Sequence, residues 1–176
     1  MPSTIDGPRD SGDPRGAVVV VRADFERDDH RAAVLALTDA YARDPMGQGA
    51  ALAPDVRERL VPALAAHPTT VILLAFHGAV PVGIATCFVG FSSFAARPLL
   101  NIHDVAVLAG HRGVGIGAAL LAGVEAEARA LGCVKLTLEV GDTNHPARAL
   151  YEKMGFAHAD GGPGAGFGLF FTKPLG

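Results

Sequence analysis

Asn101–Gly117, NIHDVAVLAGHRGVGIG, is the stretch whose reading decides the fold: an apolar strand passes through a short polar turn into a glycine-rich helix start. Gly113, Gly115 and Gly117 fall where the chain leaves the strand and enters AALLAGVEAEARAL. Backbone N–H groups at such a point have no helical partner and face outward, so they can collect an anion such as a pyrophosphate. Without a Cβ the main chain can come close and form a concave nest, and the helix dipole adds roughly 0.3–1 kcal/mol for a negative charge. Arg112 supplies a full positive charge to the same turn.

Three phosphate-binding patterns compete for these residues. A P-loop needs Gly-Lys-Ser/Thr after the glycines, and here Gly117-Ala118-Ala119 follows, which excludes it. Gly113-Val114-Gly115-Ile116-Gly117-Ala118 formally fits the dinucleotide fingerprint, but that motif opens a βαβ run, whereas two adjacent strands with a tight turn precede this one. The third pattern fits better. Arg112-Gly-Val-Gly115-Ile-Gly117 resembles the R/Q-x-x-G-x-G/A motif of the GNAT N-acetyltransferase superfamily in residue type, spacing and position after an Ala-Val strand. Asn144-His-Pro-Ala147-Arg-Ala-Leu150-Tyr151-Glu-Lys-Met-Gly155-Phe156 is similar to the family's second segment, N-x-x-A-x-x-L-Y-x-x-x-G-F, at the expected distance downstream. Two ordered motifs are far more specific than one glycine run. The resemblance covers about Val18 to Lys173 in element order.

Bulk properties bound the rest. A chain of 176 residues has the length of one domain and can bury about 68–70% of its unfolded surface without metal or disulfide help. The formal charge of -3, with both signs interspersed, gives no electrostatic footprint for nucleic acid or an anionic membrane. Cys87 and Cys133 stand singly in apolar surroundings, which reads as buried thiols in a reducing compartment and suggests no metal site. The apolar runs fall short of the ~20 residues that span a bilayer, and no signal pattern opens the chain, so a cytoplasmic protein is expected.

In chain order, residues 1–16 read as a flexible tail and residues 17–176 as one domain. AVVVVRA at Ala17–Ala23 reads as a strand. Asp28 or Asp29 is expected to cap a helix carrying Val34, Leu35, Leu37 and Tyr41 inward, which Asp44-Pro45 ends. A second helix starts near Pro54 and carries Val56, Leu60 and Leu64. Thr69–Phe76 and Val80–Phe88 form a hairpin across His77-Gly78-Ala79, and Gly83 lets the strand bend. Phe88, Phe91 and Phe94 suit core or lid packing, and their position before the central strand makes them candidates to line an acceptor site.

Within the central strand, Leu100 and Ile102 put apolar residues on even positions, and Val105 and Val107 put them on odd ones. The phase slips at His103-Asp104. A half-buried strand would need a β-bulge there; a strand buried on both faces would not. The family resemblance implies the bulge. The following helix carries Ile116, Leu120, Leu121, Val124 and Leu131 on one side and ends at Gly132. Val134–Val140 alternates as a strand, Asn144 or His145 caps a helix ending at Gly155, and Phe156–Ala159 and Gly166–Lys173 close the sheet across the Gly161–Gly166 loop. The expected architecture is a mixed, mostly antiparallel twisted sheet of about six or seven strands with about four helices on both faces.

The resemblance implies acetyl transfer from acetyl-CoA to an amine by direct attack, with no metal. An alkyl amine of pKa about 10.4 is neutral in only roughly one molecule in 2500 at pH 7, so a base is valuable. His103 is the first candidate, because related transferases with an H-x-H-x-x-A-V strand place a histidine there facing the acceptor. Asn101 takes the other histidine position and cannot be a base. A strand histidine bonded to a backbone carbonyl is the equally weighted alternative. Asp104 is the second candidate base, although strand alternation would point it away from His103's face. Tyr151 matches the family's proton donor to the departing thiolate; packing beside the cofactor is its alternative role. The resemblance assigns cofactor binding to Val105, Ala106 and Val107 (main-chain amides polarising the thioester), Arg112, Gly113, Val114, Gly115, Ile116, Gly117 and Ala118 (diphosphate), and Asn144, Ala147 and Tyr151 (pantetheine arm and sulfur). Asn144 can also cap its helix. The acceptor is expected to be a small-molecule amine, with neither nucleic acid nor membrane as partner, and a homodimer is common among relatives. The rival from another class is a catalytically silent acyl-CoA-binding module.

Overall fold

The computed structural model describes residues 17–159 and 169–176. The expected tail at 1–16, the 161–166 loop and the first residues of the last strand lie outside the described residues. The chain runs β1 (Val18–Arg22), α1 (Asp28–Arg43), α2 (Pro54–Ala66), β2 (Thr70–His77), β3 (Val80–Ser92), β4 (Arg97–Val107), a 3-10 turn (Ala109–His111), α3 (Ile116–Ala130), β5 (Lys135–Val140), α4 (His145–Lys153), β6 (Ala157–His158) and β7 (Leu169–Pro174). Seven strands form one open sheet in the order β1-β2-β3-β4-β5-β7-β6. Every pairing is antiparallel except that of β4 with β5. That parallel pair needs a crossover, which α3 supplies.

The two faces carry separate cores. Ala33, Val34 and Leu37 of α1 and Val61 of α2 pack on Ile72, Leu74 and Ile84. Ile116, Leu120, Leu121 and Val124 of α3 pack, together with Tyr151 of α4 and Phe156, on Val71, Leu73, Ala85, Leu136 and Leu138. A Cβ on Gly83 would meet Leu120, Ile116 and the Ala106 carbonyl at 3.1–3.2 Å, so this glycine serves the close approach of α3 to β3. Two details differ from the sequence reading. Arg27 stands at the N-cap of α1 without a side-chain cap bond, and Asp28 and Asp29 lie in the first turn, where they complement the helix dipole. On α2 the buried residue is Val61; Val56, Leu60 and Leu64 are only half-buried, because the helix lies at the margin of the core.

Two polar clamps fix what surrounds the β4–β5 junction. Lys173 of β7 donates to the Met154 carbonyl at the end of α4 (2.7 Å) and to Glu125 of α3 (2.6 Å), tying both helices to one strand. On the other face, Asp39 of α1 accepts from the Leu52 amide (2.9 Å) and pairs with Arg57 (2.7 Å) and Arg43 (3.0 Å). It thereby ties the α1–α2 connection to both of its helices.

The Leu52 amide, Arg57 and Arg43 hold the Asp39 carboxyl down at about 2. A carboxyl depressed from the usual unfolded value of about 3.9 stabilises the fold fully above that value and loses its contribution as pH falls toward 2. Asp39→Asn should therefore lower the thermal midpoint at neutral pH, and the gap between variant and parent should narrow as pH drops from about 4 toward 2. A gap independent of pH would show that the carboxylate charge contributes nothing.

Candidate active site

The junction of β4 and β5 is where the sheet opens. Their pairing covers only Leu100–Ile102 against Leu136–Leu138, and beyond it β4 continues to Val107 with β3 alone as its ladder partner. The opening starts at a bulge: Thr86 pairs with Asp104 and Cys87 with Ile102, so His103 is the extra residue. Before the bulge, Leu100 and Ile102 face α3; after it, Val105 and Val107 do so, and Ala106 and Leu108 face α1. The slip read from the sequence is this switch.

One consequence reverses an expectation. The inserted residue puts the side chains of His103 and Asp104 on the same face of the sheet, toward α1 and α2. Asp104 feels the charge of His103 and is itself felt by Tyr41 of α1. His103 lies edge-on to Phe88 at 5.8 Å, and Phe88 lies edge-on to His67 at the end of α2 at 5.2 Å. Strand alternation, which would have separated the two side chains, does not survive a bulge.

The ladder also divides the three strand amides. Leu108 N–H donates to Val82 O across β3 (2.9 Å), so by antiparallel alternation Ala106 and Asp104 also face β3. Val105 and Val107 turn their N–H and C=O groups toward the gap. Two of the three expected amides can therefore meet a ligand there; that of Ala106 is directed to β3 instead.

At the far end of the gap, Gly113 and Gly115 have φ values of 79° and 93°, left-handed conformations that favour glycine. Gly115 is the N-cap of α3. No amide from Gly113 to Ala118 has a protein acceptor among the described residues; the first partner is that of Ala119, which donates to Gly115 O at 3.0 Å. A helix start alone accounts for about four such donors. The glycine turn extends the run with Gly113 and Val114, and Val114 itself is exposed. A Cβ on Gly117 would come within 2.9 Å of Leu150, so the donor run lies directly against α4.

Across the gap, α4 opens with Asn144 accepting from Ala147 N–H at 3.2 Å. The cap occupies the amide oxygen and leaves the NH2 group of Asn144 for a ligand. Ala147 is half-buried against the α3-side core. Tyr151, one turn on, is 8% exposed, and burial, with the neighbouring Tyr41 and Asp104, pushes its phenol up to about 12. Asp104 is itself raised by burial. Among the described residues, its carboxylate and the hydroxyls of Tyr41 and Tyr151 make no hydrogen bond to protein. Sequence reasoning assigned Tyr41 to the core; its place on the inward stripe of α1 was legible, but its approach to Tyr151 was not.

Arg112 bonds within the chain: its Nε donates to Val107 O at 2.8 Å and its Nη2 pairs at 2.6 Å with Asp44, the C-cap of α1. Beside this pair lies a cleft of about 270 Å³ lined by Leu37, Tyr41, Asp44, Val107 and Arg112 among others. Phe91 and Phe94 are exposed on the β3–β4 hairpin; only Phe88 of the three aromatics reaches the site. Among the described residues no group of three metal-ligating side chains gathers, and no helix is long and apolar enough to cross a membrane.

Comparison with known proteins supplies an independent view. The acetyltransferase (GNAT) family profile matches residues 20–156. Streptothricin acetyltransferase of Streptomyces lavendulae is 43% identical over 70 residues, which span 40% of this chain and 37% of that enzyme. The crystal structure of nourseothricin acetyltransferase is similar at 29% identity with a TM-score of 0.51, over 62% of this chain and 67% of that one. The PaiA N-acetyltransferase of Thermoplasma acidophilum, solved in complex with coenzyme A, shares the fold with a TM-score of 0.67 over 90% of this chain and 99% of that one, at 14% identity.

The chain has 2 tyrosines, so each phenol can be titrated alone. In Tyr41→Phe, which removes one of the raising influences but not the burial, the Tyr151 phenol should still ionise above the ordinary value of about 10 in the folded chain and near that value in urea. Adding Asp104→Asn removes a neighbouring negative charge and should lower the folded value. Ultraviolet absorbance of the phenolate reads both, and a folded-state value near 10 would show that Tyr151 is not shielded.

Proposed function

The chain belongs to the acetyltransferase (GNAT) family, and on that premise we propose that it is an acetyl-CoA-dependent N-acetyltransferase acting on the primary amine of a small molecule by direct attack on the thioester. The observation that carries this reading is the unbroken run of free amides from Gly113 to Ala118, set against the helix that carries Tyr151. Amide donors at a helix start suit a diphosphate, and their nearness to α4 suits a donor whose sulfur ends beside the phenol.

Val105 and Val107 would then donate to the thioester carbonyl and the arm that follows it, stabilising the oxyanion as it forms; such donors are worth about 2.7–4 kcal/mol each in other enzymes. His103 takes the proton of the attacking amine, and Asp104, on the same face, can steady the imidazolium or accept the proton itself. Tyr151 stays protonated throughout the neutral range. Its acidity nevertheless limits how it works. Full transfer from a phenol near 12 to a thiolate whose acid has a pKa of about 8.5 is uphill by about 5 kcal/mol. The phenol therefore acts by hydrogen-bonding the sulfur as the C–S bond breaks, and its proton crosses only as charge builds on a sulfur shielded by the same burial.

Similarity to the streptothricin and nourseothricin acetyltransferases supports a small-molecule acceptor of the kind those enzymes take. The second reading, a CoA-binding module without turnover, makes a different forecast in the same experiment. In a thiol-release assay over an amine panel that includes streptothricin, the parent chain should release CoA, and Tyr151→Phe should lower kcat by about 10²- to 10⁴-fold with CoA affinity retained. CoA binding with no amine giving turnover above Tyr151→Phe would favour the module.

A further inference from the structure

The Arg112–Asp44 pair joins two parts of the molecule that the proposed reaction uses separately. Arg112 precedes the glycine turn; Asp44 ends α1 and begins the connection to α2. Arg112 Nε caps Val107 O, and by the ladder parity above that carbonyl faces the β4–β5 gap. Its Nη2 reaches Asp44 Oδ2 at 2.6 Å, a contact spanning 68 positions of sequence. The guanidinium thus lies along the edge of β4 beside the free amides, spending its fork on two groups of this chain.

Asp44 is equally committed. Its other carboxylate oxygen accepts from Met46 N–H (2.9 Å), and its carbonyl accepts from the amides of Gly47 (2.9 Å) and Gly49 (3.3 Å). Gly47 is packed so closely that a Cβ there would lie 2.2 Å from the Tyr41 carbonyl. Asp44 therefore organises the turn after α1 through its main-chain carbonyl and one carboxylate oxygen, and neutralises Arg112 with the other.

We infer that the Arg112–Asp44 pair is a strap across the donor groove, which the diphosphate of the incoming donor opens by taking the guanidinium from Asp44. The inference rests on the acetyl-CoA reading above. A donor lying along the β4 edge needs the Val107 carbonyl that Arg112 covers. Its diphosphate, seated on the amides that follow Arg112, offers a doubly charged partner in place of a single carboxylate. Donor binding thereby releases the Asp44 carboxylate and loosens the turn at residues 44–50, which that carboxylate helps to hold through Met46 N–H. Asp44 acts as a stand-in anion, and its removal should help the donor bind.

The test is calorimetric titration of the full chain with CoA. Asp44→Asn keeps an oxygen for Met46 N–H while losing the charge, and it should bind CoA about two- to fivefold more tightly than the parent, the range an exposed ion pair is worth. Arg112→Ala should bind it more weakly. Hydrogen exchange on the unaltered chain gives a readout that needs no variant: peptides covering residues 44–50 should exchange faster with CoA, and inorganic pyrophosphate alone should reproduce part of that change. Asp44→Asn binding CoA with equal or lower affinity, or exchange at 44–50 that is unchanged or slowed by CoA, overturns the strap and leaves the donor reading standing. No CoA binding to the parent chain overturns both.

Discussion

One inserted residue in β4 sets the geometry on which the site depends. Without His103 as the extra residue, β4 would alternate uniformly from Leu100 to Val107, and its ladder with β5 could continue beyond Ile102. The insertion turns the apolar side chains from even to odd positions. It also bends the strand away from β5, leaving Val105 and Val107 with main-chain groups aimed into an opening instead of a neighbouring strand. An unpaired strand edge is a liability where it faces another chain. Inside a cleft walled by α3 and α4, the same edge is a row of donors and acceptors ready for an extended ligand.

The bulge explains the electrostatics as well. By setting Asp104 beside His103 on the α1 face, it brings a partly buried carboxylate close to both tyrosines, whose phenols are pushed upward chiefly by burial and further by that charge. At the other end of the gap the field has the opposite sign. There the amides from Gly113 to Ala118 and the start of α3 present only donors. A donor molecule with a diphosphate at one end and a neutral thioester at the other matches this gradient; the reverse orientation would set phosphate against Asp104.

The legible parts of the chain were those written in local pattern. The strand at Lys135–Val140, the stripe of Ile116, Leu120, Leu121 and Val124 on α3, the cap at Asn144 and the phase slip at His103 each depend on residues within one element, and each is found. Leu131, read onto the same stripe, lies exposed past the helix end, and Thr137, read on the polar side of its strand, is buried. The relations that escaped are between elements. Arg112 reads as a free cation in the sequence, because nothing local announces Asp44 on the opposite face. Nothing near Asp39 in the sequence marks it, yet it closes the α1–α2 connection through Leu52 and Arg57. Asp104 was turned the wrong way by a rule that holds only for regular strands. Tyr41 counted as core because its stripe position is apolar in type, and its approach to Tyr151 follows from the sheet opening between their helices.

For the reaction proposed above, burial of Tyr151 amounts to a choice between two ways of handling a proton. A solvated phenol near 10 would be the stronger acid, but water reaching it would also reach the thioester. Shielding raises the phenol to about 12 and makes it a poorer acid in isolation. In the same low-dielectric setting, a thiolate forming within hydrogen-bond distance is poorly solvated, so its demand for a proton rises with burial too. Both groups are shifted upward by one environment, and the mismatch between them is smaller at the moment of bond breaking than their separate values suggest. In the proposed reaction, the core that packs Tyr151 beside Phe156 would therefore keep water away without disabling the phenol as a donor.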